Sequence, residues 1–126
     1  MSQQLKPEAD ALTLVVKEVI DEILSTSQEL APLDVLVALE IVDSEQIELW
    51  RRGGLPYLER GIVSGLARVA RILRIVQQQA EARGLEPKPA RYLKRGKGPR
   101  RPLRFSKRGD AESERAYTTH FVKPGE

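Results

Sequence analysis

The sequence predicts a mainly α-helical fold: a small helical bundle with one long amphipathic helix and a basic, β-hairpin-like C-terminal extension. Three observations carry this. Apolar residues recur at spacings of three and four through most of the first 84 residues, the period of a helix with one buried face. Gly and Pro fall where those patterns stop. From Lys88 to Arg108 the pattern gives way to ten Lys or Arg with no acidic residue among them. The chain has 126 residues, enough for one modest core. Residues 1–84 read as a helical domain, and 85–126 as a basic extension packing on that same domain.

The first helix is expected in "KPEADALTLVVKEVIDEILSTSQ", where Leu12, Val15, Val16, Val19, Ile20, Ile23 and Leu24 form an apolar face. Pro7 suits its first position, and Glu8 and Asp10 complement the positive end of the helix dipole. Pro32 opens a short second helix, "PLDVLVALEI". In "VDSEQIELWRRGG" a third begins at Asp43, which stands three residues before Gln46 in a capping-box arrangement. Ile47 and Trp50 supply its buried face, and Gly53–Gly54 ends it.

The longest element is expected from about Pro56 to Arg83. Ile62, Leu66, Val69, Leu73, Val76 and Ala80 recur at alternating spacings of four and three, a heptad-like seam suited to another helix of the bundle or to a second copy in a homodimer. Arg60, Arg68, Arg71 and Arg74 fall on the opposite face. Gly61 and Gly65, one turn apart, predict close helix packing. Gly84, Pro87 and Pro89 predict a linker. "ARYLKR" and "RPLRFS" flank the Gly/Pro turn "GKGPR" and predict a hairpin. "DAESERAYTTHF" predicts a last short helix capped by Asp110, with Ala116, Tyr117 and His120 on its inner face.

Composition narrows the function classes. The absence of cysteine excludes disulfides, thiolate zinc sites and thiol nucleophiles. No apolar stretch is long enough to span a bilayer, and "MSQQLKPEAD" lacks the order of a signal peptide; the expectation is a soluble cytoplasmic protein, without membrane partner. Charge is unevenly placed. Residues 1–50 hold two basic and eleven acidic side chains, a net of −9, and residues 51–126 hold nineteen and seven, a net of +12. Such a split orients encounters with charged partners, or lets the acidic half dock on the basic one.

The basic run is the main candidate site. Lys94, Arg95, Lys97, Arg100, Arg101, Arg104, Lys107 and Arg108 would bind phosphates, with Arg68, Arg71 and Arg74 as a second contact face. Each cation placed on a phosphate releases a condensed counterion, and Arg can clamp phosphate or a guanine edge. Tyr92 and Phe105 are candidates for stacking on unpaired bases. The alternatives are a protein partner or a solvated hairpin neutralised by the chain's own acidic half.

The stretch "LDVLVALEIVDSEQIELWRRGGLP" resembles the helix-turn-helix of small bacterial regulators, in particular the Trp-x-x-Gly and Leu-Pro of excisionase and MerR-type winged helices. The resemblance implies a second helix lying in the DNA major groove, with Ser44, Glu45, Gln46, Glu48, Arg51 and Arg52 at the contacting positions. The chain departs from the pattern at Glu40-Ile41-Val42, where the turn glycine belongs, and at Glu45 and Glu48, which repel phosphate. An ordinary helical hairpin with Trp50 as core anchor is the competing reading. From Pro32 to Val122, "PLDVLVALEIV…WRRGGLPYLER" and "GKGPRRPLRFSKRGD" also resemble a family of small bacterial proteins without assigned activity; that likeness implies a self-contained unit and no reaction.

His120 is the only histidine. With Asp110, Glu112, Glu114 and Arg108 near it in sequence, acid–base cleavage of RNA is conceivable. The simpler expectation is that His120 packs against the helices while the carboxylates pair with surplus arginines. No phosphate-binding Gly loop, nucleophile elbow or zinc motif is present, and no metal or cofactor is expected. The sequence therefore predicts a non-enzymatic nucleic-acid-binding protein, with DNA and RNA both open. The alternatives are an adaptor dimerising through the long helix and a small ribonuclease using His120.

Overall fold

The structure, a computed structural model, describes residues 10–62 and 64–125. Helix α1 spans Ala11–Thr26 and is capped by Asp10, whose carboxylate accepts the Thr13 N–H at 2.9 Å. The expected roles of Pro7 and Glu8 lie outside the described residues. Pro32 occupies the first turn of α2 (Pro32–Ala38). Asp43 caps α3 (Ser44–Arg51) by accepting the Gln46 N–H at 2.8 Å, the bond that the Asp43–Gln46 spacing foretells.

Helices α2 and α3 end alike. Beyond α2, Glu40 N–H donates to Val37 C=O and Ile41 N–H to Leu36 C=O; beyond α3, Gly53 and Gly54 repeat those bonds to Trp50 and Leu49. Both are Schellman ends, which need a left-handed residue after the cap. Gly53 supplies it at φ 86, but α2 uses Glu40 at φ 60, a positive φ for a residue with a Cβ.

The long helix starts later than its seam suggests. Helix α4 runs Leu66–Ala82, preceded by a 3-10 turn at Leu58–Gly61. The cause is non-local: Leu58 N–H and Glu59 N–H donate to the carbonyls of Arg104 and Phe105, so this stretch serves as a backbone partner for the basic segment. Gly65 becomes the cap of α4 rather than an interior residue. Gly61 does mark a close approach, to α3: a Cβ there would lie 2.8 Å from Gln46 Oε1.

The seam itself is filled from within the chain. Val69, Leu73, Val76 and Ala80 are buried together with Ile72 and Ile75, while Leu66 is 44% exposed. Their main partner is α1, through Val16 and Ile20. Asp10 pairs with Arg71 and Asp21 with Arg83, so α1 and α4 lie side by side in the same direction. Each leucine-sized side chain buried there contributes about 1.5–3 kcal/mol. Of the two partners that the seam suits, the structure supplies the first: α1, another helix of the bundle.

The expected linker is a strand. β2 (Glu86–Pro89) pairs antiparallel with β3 (Thr119–Val122), which pairs on its other side with β1 (Glu29–Leu30). The register sets Pro87 opposite Phe121, Lys88 opposite His120 and Leu30 opposite Phe121. Pro87 and Pro89 lack N–H groups, and β2 tolerates them because it is an edge strand with nothing to donate to on its outer side. The terminal helix α5 (Ala111–Thr118) is capped by Asp110 as expected. It stops before His120, which belongs to β3, and of its predicted inner face Tyr117 is buried while Ala116 is exposed.

One core joins all of this. Leu103, Phe105, Tyr117 and Phe121 pack in the same cluster as Trp50, Leu36 and Val76. Among the described residues the result is a mainly helical fold of five α-helices with a small three-stranded antiparallel sheet. Among the described residues no helix is long and apolar enough to cross a membrane.

Candidate nucleic-acid interface

The basic run is held to the body at its base. Lys94 N–H donates to Arg101 C=O at 2.9 Å, and Leu103 N–H to Tyr92 C=O at 2.8 Å, around a single bridge between Leu93 and Pro102. This is a minimal hairpin, with Gly96, Gly98 and Pro99 in its tip. Trp50 Nε1–H donates to the Arg104 carbonyl at 2.8 Å. The Phe105 ring lies 4.7 Å from Trp50, 5.0 Å from Tyr92 and 5.1 Å from Tyr117. That aromatic cluster decides which residues of the run face inward.

Beyond Leu103 the run is bound into the molecule. Phe105 N–H, Ser106 N–H and Ser106 Oγ–H all donate to the Glu114 carboxylate, at 2.9, 2.7 and 2.6 Å. Glu59 accepts Lys107 N–H at 2.8 Å and the Tyr117 hydroxyl at 2.6 Å. Burial, then that bond to an anion, push the Tyr117 phenol up. Arg104 donates to the Ser106 carbonyl at 2.8 Å and to the Lys107 carbonyl, and its guanidinium lies 5.4 Å from the Tyr57 ring centre. Arg108 sits 3.4 Å from Asp110.

Between Lys94 and Arg101 no side chain pairs with a carboxylate among the described residues. The Lys94 and Arg101 side chains lie across Gly53 at the end of α3; a Cβ on Gly53 would meet Lys94 Cε at 2.8 Å and Arg101 Nη2 at 3.1 Å. Arg95 N–H donates to the Arg51 carbonyl at 2.7 Å, which joins the loop to the Arg51–Arg52 pair. The Arg51 guanidinium stands 5.1 Å over the Tyr92 ring, and burial, then the neighbouring Arg95, lower its pKa. Lys94 Nζ donates to Lys97 C=O at 2.6 Å. Among the described residues, no carboxylate pairs with Lys94, Arg95, Lys97, Arg100, Arg101 or Lys107. Arg52 pairs with Glu48 at 3.1 Å, both largely exposed, a contact of little strength that phosphate can displace.

The remaining sequence-predicted residues divide. Arg68 and Arg74 are exposed on α4, and Arg71 is paired with Asp10. Arg74 and Arg108, from separate segments, both line a groove of about 780 Å³ between α4 and α5, where Glu59, Asp110 and Glu112 also line the wall. That second face is mixed in charge, unlike the loop. Phe105 is 0% exposed, so its expected stacking role is overturned: its ring fills the core. Tyr92 is half-buried beneath Arg51, its hydroxyl 2.7 Å from His120 Nε2. In the sequence only the helix-turn-helix likeness points to Arg51 and Arg52; the backbone bond from Arg95 to Arg51 is what brings them to this face.

His120 is tied at both nitrogens. Nδ1–H donates to the Glu29 carboxylate, and with the imidazole neutral Nε2 accepts the Tyr92 hydroxyl. The His120 bond, then Lys88 at 3.8 Å, hold the Glu29 carboxyl below its usual range. Burial, then Asp34 nearby, push the Tyr92 phenol up to about 12. The triad links β1 and β3 to the base of the loop, and Lys88 ties β2 to it through Glu29. The carboxylates expected to pair with arginines around His120 instead mostly receive backbone and hydroxyl hydrogens. Comparison with known proteins gives no family model that matches, no similar curated protein and no similar solved structure.

Proposed function

We propose that the protein is a non-enzymatic nucleic-acid-binding protein that takes the phosphate backbone of DNA or RNA on the face formed by the Lys94–Arg101 loop and the end of α3. One observation carries the reading: Arg95, Lys97, Arg100 and Arg101 are exposed and form no ion pair among the described residues. Lys94 and Arg51 stand beside them. A fold that leaves so many cations without counter-charge carries its anions in solution, and a polyanion displaces those ions with a gain in entropy. The His120 side chain is 13% exposed and lies between Glu29 and Tyr92, away from the Lys94–Arg101 cations, so the binding reading does not call on it.

Fluorescence anisotropy with a labelled oligonucleotide tests this. Four to six phosphate contacts predict that affinity falls by roughly 10²–10³-fold between about 50 and 200 mM salt. Replacing Arg95, Lys97, Arg100 and Arg101 together by Gln should flatten that dependence and remove most of the binding. No binding at low salt, or affinity indifferent to salt, rules the proposal out.

A further inference from the structure

Resting on that reading, we infer that the surface takes duplex rather than single-stranded nucleic acid and senses the spacing of phosphates, not the identity of bases. The first ground is where the aromatic rings lie. The chain has six, one Trp, three Tyr and two Phe, and none is exposed. Trp50, Phe105, Tyr117 and Phe121 are buried; Tyr57 and Tyr92 are half-buried, each with an arginine over its ring. Proteins that hold single strands stack bases on exposed aromatic faces, a contribution of about 1–3 kcal/mol per base. This surface offers none.

The second ground is the chemistry that remains. From Lys94 to Arg101 the loop holds only Lys, Arg, Gly and Pro; it lacks the amide side chains that read adenine edges, and its arginines, which can clamp a guanine edge, sit on no helix or strand that would carry them into a groove. Helix α3 cannot lend its face to a groove at low cost, because Glu45 and Glu48 are exposed along it and would run beside the phosphate walls. The cations instead sit together at the helix's end, over Gly53. A compact cationic cluster fits the duplex, whose charge lies about 1.7 Å apart along the axis, and each contact there releases more counterion than on a single strand.

The test compares one oligonucleotide sequence as DNA duplex, RNA duplex and single strand, and a second, unrelated duplex, against the full chain at two salt concentrations. Duplex should bind about tenfold more tightly than its single strand, with a steeper salt dependence, and the two duplex sequences should agree within about threefold. Fluorescence of Trp50, the only tryptophan, should stay unquenched, because its ring is out of reach. A preference for DNA or RNA duplex identifies the source of the phosphates and upholds the inference. A single strand bound as tightly as duplex, or duplexes that differ more than about tenfold with sequence, overturns it while nucleic-acid binding stands. No binding to any of them overturns both.

Discussion

Two adjacent halves of the basic run, Lys94–Arg101 and Leu103–Arg108, carry cations at similar density yet meet opposite fates. In the second, Leu103 and Phe105 are buried, and Glu114 and Glu59 accept the backbone N–H groups of Phe105, Ser106 and Lys107. In the first, Gly and Pro interrupt the cations, no side chain beyond Leu93 turns inward, and the charge stays in solvent. The difference teaches that the carboxylates opposite a basic segment need not neutralise it. Here they satisfy buried N–H groups, which cost more when orphaned than an exposed guanidinium does. The cations are left over because the nearby acids have stronger claims on them.

That contrast breaks most visibly at Phe105. Phe105→Ala should cost about 3–5 kcal/mol, read from the denaturant midpoint, because the ring touches Trp50, Tyr92 and Tyr117. A loss below about 1 kcal/mol would mean that the second half is no better fixed than the first. Glu114→Ala comes next. It strands the Phe105 and Ser106 amides and should cost about 2–3 kcal/mol, with hydrogen exchange quickened at those two amides ahead of the rest.

The junction between the halves titrates. Folding raises the Tyr92 phenol from its ordinary 10.0 to about 12, so the folded chain holds that proton more tightly than the unfolded one. The stability it brings is complete below pH 10 and is lost as pH rises from there toward 12. Denaturant midpoints measured across that range should fall more steeply for the wild type than for Tyr92→Phe. Tyr117, raised also, contributes to both proteins and cancels in the comparison. Equal slopes would place Tyr92 in solvent, outside the junction.

How much of this could be read from residues alone follows the range of the forces. Asp43 before Gln46, Pro32 opening α2 and Gly53 closing α3 are contacts within a few residues, and each holds. The stretch before α4 is held at Leu58 and Glu59 by the Arg104 and Phe105 carbonyls, more than forty residues further along the chain, which no local pattern encodes. Pro87 and Pro89 mark a linker by local rules, and only the pairing with β3 makes them an edge strand. Thr119–Val122 continues the helical spacing of α5 and is drawn into the sheet by β1 and β2. For the site, the excess of charge was legible, but which aromatics it carried was not. The alternation Leu103-x-Phe105, apolar residues two apart, was the signal that this part of the run is half core.

Local strain offers a finer test. Glu40 takes φ 60 at the position where α3's end uses Gly53. Glu40→Gly should therefore raise stability by about 1 kcal/mol, by denaturant midpoint, and leave binding unchanged, since Glu40 lies at the far end of α3 from Gly53. A destabilised variant would mean that the Glu40 side chain contributes something its backbone does not.

The smallest effect on stability belongs to the first half of the run, and it separates the two halves most cleanly. Arg95, Lys97, Arg100 and Arg101 are exposed and form no ion pair among the described residues. Replacing all four by Gln should move stability by no more than about 0.5 kcal/mol, with a shift toward greater stability as their mutual repulsion is relieved. The direction matters. Cations held in the fold by unseen acids would make the same variant less stable, and raised salt would then destabilise the wild type. If the four are kept apart only by the loop's geometry, added salt should stabilise the wild type by screening them and leave the Gln variant unchanged. A melting series in salt on both proteins therefore tells whether this charge is surplus, with no nucleic acid in the cell at all.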